Sequence, residues 1–136
     1  MANYKIEELE GIGAAYGEKL RATGITTTDK LLEACRTKKQ RRDLAELAGI
    51  DEAKILKWAN MTDLFRINGV GSEYAELLEA AGVDTVKELA HRNAENLLAK
   101  MEEVNETKKL VRRTPSIKNV EDWIAQAKEL PRGLEY

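Results

Sequence analysis

Leu9-Glu10-Gly11-Ile12-Gly13-Ala14-Ala15-Tyr16-Gly17-Glu18-Lys19-Leu20 returns later in the chain as Ile67-Asn68-Gly69-Val70-Gly71-Ser72-Glu73-Tyr74-Ala75-Glu76-Leu77-Leu78. The match continues without a gap through Ala22-Thr23-Gly24-Ile25 against Ala80-Ala81-Gly82-Val83, then Thr27 against Thr85 and Leu31 against Leu89. Chance does not align so many glycines, and self-similarity of this kind is the first feature to seek in a new sequence. Beyond Leu31 the register slips, yet Ile55-Leu56-Lys57-Trp58-Ala59 still resembles Val120-Glu121-Asp122-Trp123-Ile124. The repeats therefore span about 1–60 and 61–130, with a short polar tail at 131–136.

Inside each repeat, apolar residues recur at steps of three and four, as in Leu44, Leu47 and Ala48 or Ile55, Leu56 and Ala59, which is helical spacing. No alternating β-branched run competes. Gly24, Gly49 and Gly82 stand where helices stop, while Asp51, Thr62, Asp84 and Asn93 are expected to cap helix starts. Pro115 interrupts the second repeat, and Pro131 closes a last helix over about 117–130. The expected fold is all-α, a duplicated bundle of about ten short helices.

A turn of two or three residues between helices needs backbone angles that glycine reaches cheaply, which explains Gly11 and Gly69. The second glycine, Gly13 or Gly71, leaves the next helix start uncovered. Its N–H groups then face outward together with the positive end of the helix dipole, a setting that favours anions. Gly17 and Ala75, one turn on, are small enough for close helix crossing, and Leu20 and Leu78 close the core beneath.

These residues resemble the helix-hairpin-helix motif: apolar, any, Gly, apolar, Gly, then a small and an apolar residue on the second helix. Nearly the whole chain, including the Trp58 and Trp123 segments, also resembles an uncharacterised family labelled domain-of-unknown-function 4332, which brings no assigned activity. The motif resemblance implies phosphate-backbone contact without base readout, through the N–H groups around Gly11, Ile12, Gly13, Ala14 and Ala15 and around Gly69, Val70, Gly71, Ser72 and Glu73. It also implies that the two motifs pair with pseudo-twofold symmetry. Proteins of this class use the same fold for purely protein contacts as well.

The charge pattern divides those two uses. With 22 basic and 24 acidic residues the chain carries a formal charge of -2, so any contact with nucleic acid must rest on local clusters. Glu73, Glu76 and Glu79 crowd the second hairpin and oppose phosphate, whereas the first, with Ala14, Ala15 and Lys19, permits it. Lys38, Lys39, Arg41 and Arg42 in the first repeat are echoed by Lys108, Lys109, Arg112 and Arg113 in the second. Such clusters suit phosphates or an acidic partner; alternatively they are solvated helix faces paired with Asp43, Glu46, Glu102 and Glu106.

Catalysis finds little material. His91 is the one histidine, expected to be exposed or capping, and Cys35, the one cysteine, reads as a small core filler. Together they form neither a zinc set nor a dyad. Gly11-Ile12-Gly13 lacks the lysine of a P-loop and the third glycine of a dinucleotide fingerprint, so no cofactor and no small-molecule substrate are expected. Tyr16 and Tyr74 are expected to pack where the repeats meet, their hydroxyls in water, and Trp58 and Trp123 to anchor the two cores. A lone cysteine, no secretory leader and a charged fraction of 34% without a long apolar run point to a cytoplasmic protein that crosses no membrane.

Two functions remain. One is a non-enzymatic module that binds the DNA or RNA backbone weakly and without sequence preference. The other is a protein adaptor or assembly module that docks a complementary surface or another copy of itself.

Overall fold

In the computed structural model, which describes residues 3–9 and 11–135, the helix boundaries follow the caps. Among the described residues there are eight α-helices, a 3-10 turn at Ile6–Glu8 and no strand. The ends of the repeats at residues 1 and 2, Glu10 of the aligned stretch and Tyr136 of the tail lie outside the described residues. In chain order the helices are α1 (Gly13–Ala22), α2 (Thr28–Ala34), α3 (Lys38–Ala48), α4 (Glu52–Leu64), α5 (Ser72–Ala80), α6 (Val86–Ala90), α7 (Ala94–Lys108) and α8 (Ile117–Glu129). No helix among the described residues is long and apolar enough to cross a membrane.

Each helix start has a local chemical cause where a hydroxyl or amide accepts the N–H of the third helical residue. Thr27, Thr37, Thr85, Asn93 and Ser116 do this for α2, α3, α6, α7 and α8. Asp51 precedes α4 and accepts from the Ala53 N–H at 3.2 Å. Two expected caps are corrected. Thr85, not Asp84, caps α6, and Thr62 lies within α4, donating its hydroxyl to the Ala59 carbonyl at 2.8 Å. At the ends of α1 and α5 the chain closes identically: Ile25 N–H reaches the Leu20 carbonyl and Gly24 N–H that of Arg21, as Val83 reaches Leu78 and Gly82 reaches Glu79. These paired bonds satisfy carbonyls that a helix end otherwise leaves open.

The chain packs as two units, one made of 3–63 with 133–135 and the other of 64–132. In the first, α1 lies on the 3-10 turn and α3 packs on α1 and α2. Ile6, Leu9, Leu20, Leu31 and Ile55 fill its core. In the second, α8 packs on α6 and α7, and α5 on α7. Ile67, Leu77, Leu78, Leu97, Met101 and Trp123 fill that core, each such side chain contributing about 1.5–3 kcal/mol.

Two side chains of α3 depart from the expected pattern. Leu47, read as part of the apolar stripe, is 74% exposed, while Arg41 is only 3% exposed. The inward stripe runs through Arg41, Leu44 and Ala48, and Leu47 falls off its edge because each residue advances the face by about 100°. Arg41 Nη1 donates to the Cys35 carbonyl at 2.8 Å and to that of Arg36 at 3.4 Å, and Nη2 to that of Glu135 at 2.6 Å. Glu135 N–H in turn reaches the Arg36 carbonyl at 2.7 Å, and Leu134 is buried. Residues 133–135 of the segment read as a polar tail are thus strapped onto the unit of residues 3–63.

Candidate functional site

The first hairpin is closed by Ile12 N–H on the Leu9 carbonyl at 3.2 Å, with Gly11 at φ +88 and Gly13 at φ +67. These are the left-handed angles that only glycine holds without strain. Ile12 is buried and its N–H is used within the turn, so neither reaches an external phosphate. Gly13, Ala14 and Ala15 are exposed, and no side chain caps the start of α1. A Cβ built on Gly13 would meet nothing within 4 Å, so this surface is open.

Further along α1, Tyr16 gathers a small cationic cluster. Lys19 Nζ and Lys54 Nζ each stand 5.7 Å from the centroid of the Tyr16 ring, within the roughly 6 Å over which a cation is drawn to an aromatic face. Lys19 also donates to the Gly49 carbonyl at 3.4 Å. Sequence reasoning missed Lys54, although its place one turn before Trp58 sets both on one face of α4. A shallow groove of about 580 Å³ follows the hairpin and is lined also by Glu7 and Glu8. Both acids are engaged: Glu7 accepts from Arg21 at 2.5 and 2.6 Å, and Glu8 accepts the Lys5 N–H at 2.9 Å. The Arg21 guanidinium holds the Glu7 carboxyl down to about 2. Glu7 also occupies the space that a Cβ on Gly17 would need, so the small residue at Gly17 admits the 3-10 turn.

The second hairpin is built alike in its turn and differently in its chemistry. Val70 N–H reaches the Ile67 carbonyl at 3.1 Å, with Gly69 at φ +96, so Val70, also buried, is taken up internally. Gly71 is extended, at φ -98 and ψ -168, unlike Gly13. The Ser72 hydroxyl oxygen is buried without a hydrogen-bond partner. Exposed Glu73 stands in the first turn of α5. Leu77, fully buried, occupies the position of Lys19, and Asn119, four residues before Trp123, that of Lys54. Neither cation of the first hairpin has a counterpart here.

Tyr16 packs on Trp58 and Tyr74 on Trp123, in both cases with centroids 5.2 Å apart and each pair within one unit. The Tyr74 hydroxyl donates to the Arg113 carbonyl at 3.2 Å and is not left to water. Both tryptophans are buried, as expected of core anchors.

The two basic clusters occupy opposite ends of helices. Lys38, Lys39 and Arg42 are exposed in the first turns of α3, where Lys39 pairs with Asp43 at 2.8 Å. Lys108 ends α7, Lys109 caps it at φ 51, and exposed Arg112 and Arg113 follow in the loop. Cations at that C-terminal end are favoured by the helix dipole. Arg41 is a correction: its guanidinium is turned inward onto main-chain carbonyls and drops out of any phosphate footprint. Cys35 is buried, and burial pushes its thiol up to about 12. Among the described residues no cluster of His, Cys, Asp and Glu is arranged to hold a metal ion.

Residues 10–130 match the model of a family described as Domain of unknown function (DUF4332). No curated protein matches the chain, and no solved structure does.

Proposed function

We propose that this chain, which belongs to the Domain of unknown function (DUF4332) family, is a non-enzymatic tandem helix-hairpin-helix module that holds the phosphate backbone of DNA or RNA without reading its bases. The family carries no assigned activity, so the reading rests on the chain's own chemistry. The observation that carries it is the pair Lys19 and Lys54 on the ring of Tyr16, a residue of the helix whose start no side chain caps. The helix dipole and two ammonium groups favour an anion along α1, although Glu8 lines the groove at its start and the chain as a whole carries -2. Exposed Lys38, Lys39, Arg42, Lys108, Lys109, Arg112 and Arg113 add phosphate contacts that position but do not specify. A cytoplasmic setting goes with this reading, in line with a lone reduced thiol.

The second hairpin favours a second reading, an adaptor for a basic protein surface, because Glu73 is exposed and the matched lysines are absent. One experiment separates the two. Anisotropy of a labelled duplex and a labelled single-stranded RNA is followed at low and moderate salt for the wild type and for a Lys19→Glu, Lys54→Glu variant. Backbone binding requires affinity that falls steeply with salt. The variant should lower the log–log slope by about two, because each neutralised phosphate accounts for about 0.9 of it. Flat salt dependence, or a variant that binds like the wild type, overturns the backbone reading and leaves the adaptor.

A further inference from the structure

The unit of residues 64–132 holds a second cationic feature, where α6 and α8 end against each other. Their ends frame a pocket of about 360 Å³. Its lining includes the apolar Val86, Ala127 and Leu130, the first two almost wholly buried. Its rim carries Lys87, His91, Lys128 and Arg132, and among the described residues no carboxylate lines it. The Arg66 guanidinium donates to the Pro131 carbonyl at 2.5 Å, which fixes the turn that presents Arg132.

Helix C-termini attract cations, and that alone accounts for lysines in the last turns of α6 and α8. It does not account for their convergence on an apolar hollow. Nor is the arrangement inherited from the repeat. The positions matching Lys87, His91 and Lys128 in the first repeat are Asp29, Glu33 and Asp63, so the charge is reversed at both lysines and a histidine stands in place of a carboxylate. A volume near the lower end of the roughly 300–1,000 Å³ usual for small-ligand sites suits a single ring or short chain bearing one charged group.

We infer that this pocket binds a small organic phosphomonoester, its apolar body on Val86, Ala127 and Leu130 and its phosphate among Lys87, His91, Lys128 and Arg132. A phosphomonoester carries a charge of about -1.5 to -2 at neutral pH and so matches a rim of several cations better than a single carboxylate does. The site shares no residue with the Gly13 hairpin, and a small ligand there goes beyond the partners expected from sequence.

The test is an NMR titration of the full-length chain with phenyl phosphate, inorganic phosphate and benzoate. Phenyl phosphate should give saturable shifts centred on the amides of Lys87, His91, Lys128 and Leu130. It should bind at least about tenfold more tightly than inorganic phosphate, because the ring adds buried apolar area. A Lys87→Gln, Lys128→Gln variant, altered only at exposed positions, should stay folded, with only the small drop in thermal midpoint that losing two cations at helix C-termini brings, and lose at least about tenfold in affinity. The Lys19→Glu, Lys54→Glu variant should bind phenyl phosphate like the wild type, which separates this site from the backbone reading. Equal affinity for phenyl and inorganic phosphate, tighter binding of benzoate, shifts centred elsewhere, or absence of saturable shifts would each overturn the inference.

Discussion

Trp58 meets the Tyr16 ring edge-on at a centroid distance of 5.2 Å, and its indole nitrogen lies 3.8 Å from where a Cβ on Gly11 would stand. The tryptophan therefore props the turn glycine on one side and the aromatic carrier of Lys19 and Lys54 on the other. Such a pair adds about 0.5–1.5 kcal/mol beyond the area it buries. In the other unit Trp123 holds Tyr74 at the same distance, but its indole nitrogen comes within 3.0 Å of the Cβ position on Gly69.

Gly69→Ala is expected to destabilise more than Gly11→Ala. Both force a side chain into a positive φ, a cost of about 1–3 kcal/mol, and only Gly69→Ala also drives a methyl group against the tryptophan. Urea titrations of the two variants check the order. Equal midpoints would refute the close approach at Gly69.

Arg41→Ala should cost about 2–4 kcal/mol, because it removes a buried charged donor from main-chain carbonyls. Arg42→Ala, its exposed neighbour, should stay within about 0.5 kcal/mol. Sequence alone places these two in one cluster, so matching chemical-denaturation midpoints would contradict the inward turn of Arg41.

Glu7 governs an acid-sensitive ion pair. Its carboxyl titrates at about 2 when folded against an ordinary 4.5, so the pair with Arg21 contributes in full above 4.5 and fades as pH falls towards 2. Glu7→Gln should accordingly melt below the wild type at neutral pH, with the gap closing towards about pH 2. Melting curves across that range check it. A gap that does not change with pH would mean the pair adds nothing electrostatic.

Cys35 should resist thiol reagents in the native protein. It is fully buried and its thiol is pushed up from 9.0 to about 12, so mildly alkaline solution gives almost no thiolate. Labelling should become complete in denaturant. Rapid reaction of the folded chain would show that the core opens at that point.

What was legible in the sequence was whatever depends on neighbours along the chain. The glycine turns at Gly11 and Gly69, the helix ends at Gly24 and Gly82 and the burial of Trp58 and Trp123 follow from local spacing, and the structure has them. Asp84 and Thr62 misled because several capping residues stood together or within a helix, and only tertiary packing selects among them. Arg41 was illegible for a different reason. Its acceptor on Glu135 lies 94 residues away, and a charged residue in a run of charged residues carries no mark of burial. The Lys19–Lys54 cluster joins two helices and becomes visible only when both tyrosine contacts are seen.

The return of Gly133–Glu135 to the helices of residues 3–63 has a consequence for the order of events during synthesis. Those helices leave the ribosome well before the residues that strap them, so the amino-terminal unit is begun first and finished last. Closing so long a loop adds entropy cost slowly with length but retards folding through its high contact order. Cutting the chain between Asp63 and Leu64 would for the same reason leave the early fragment without its final clasp.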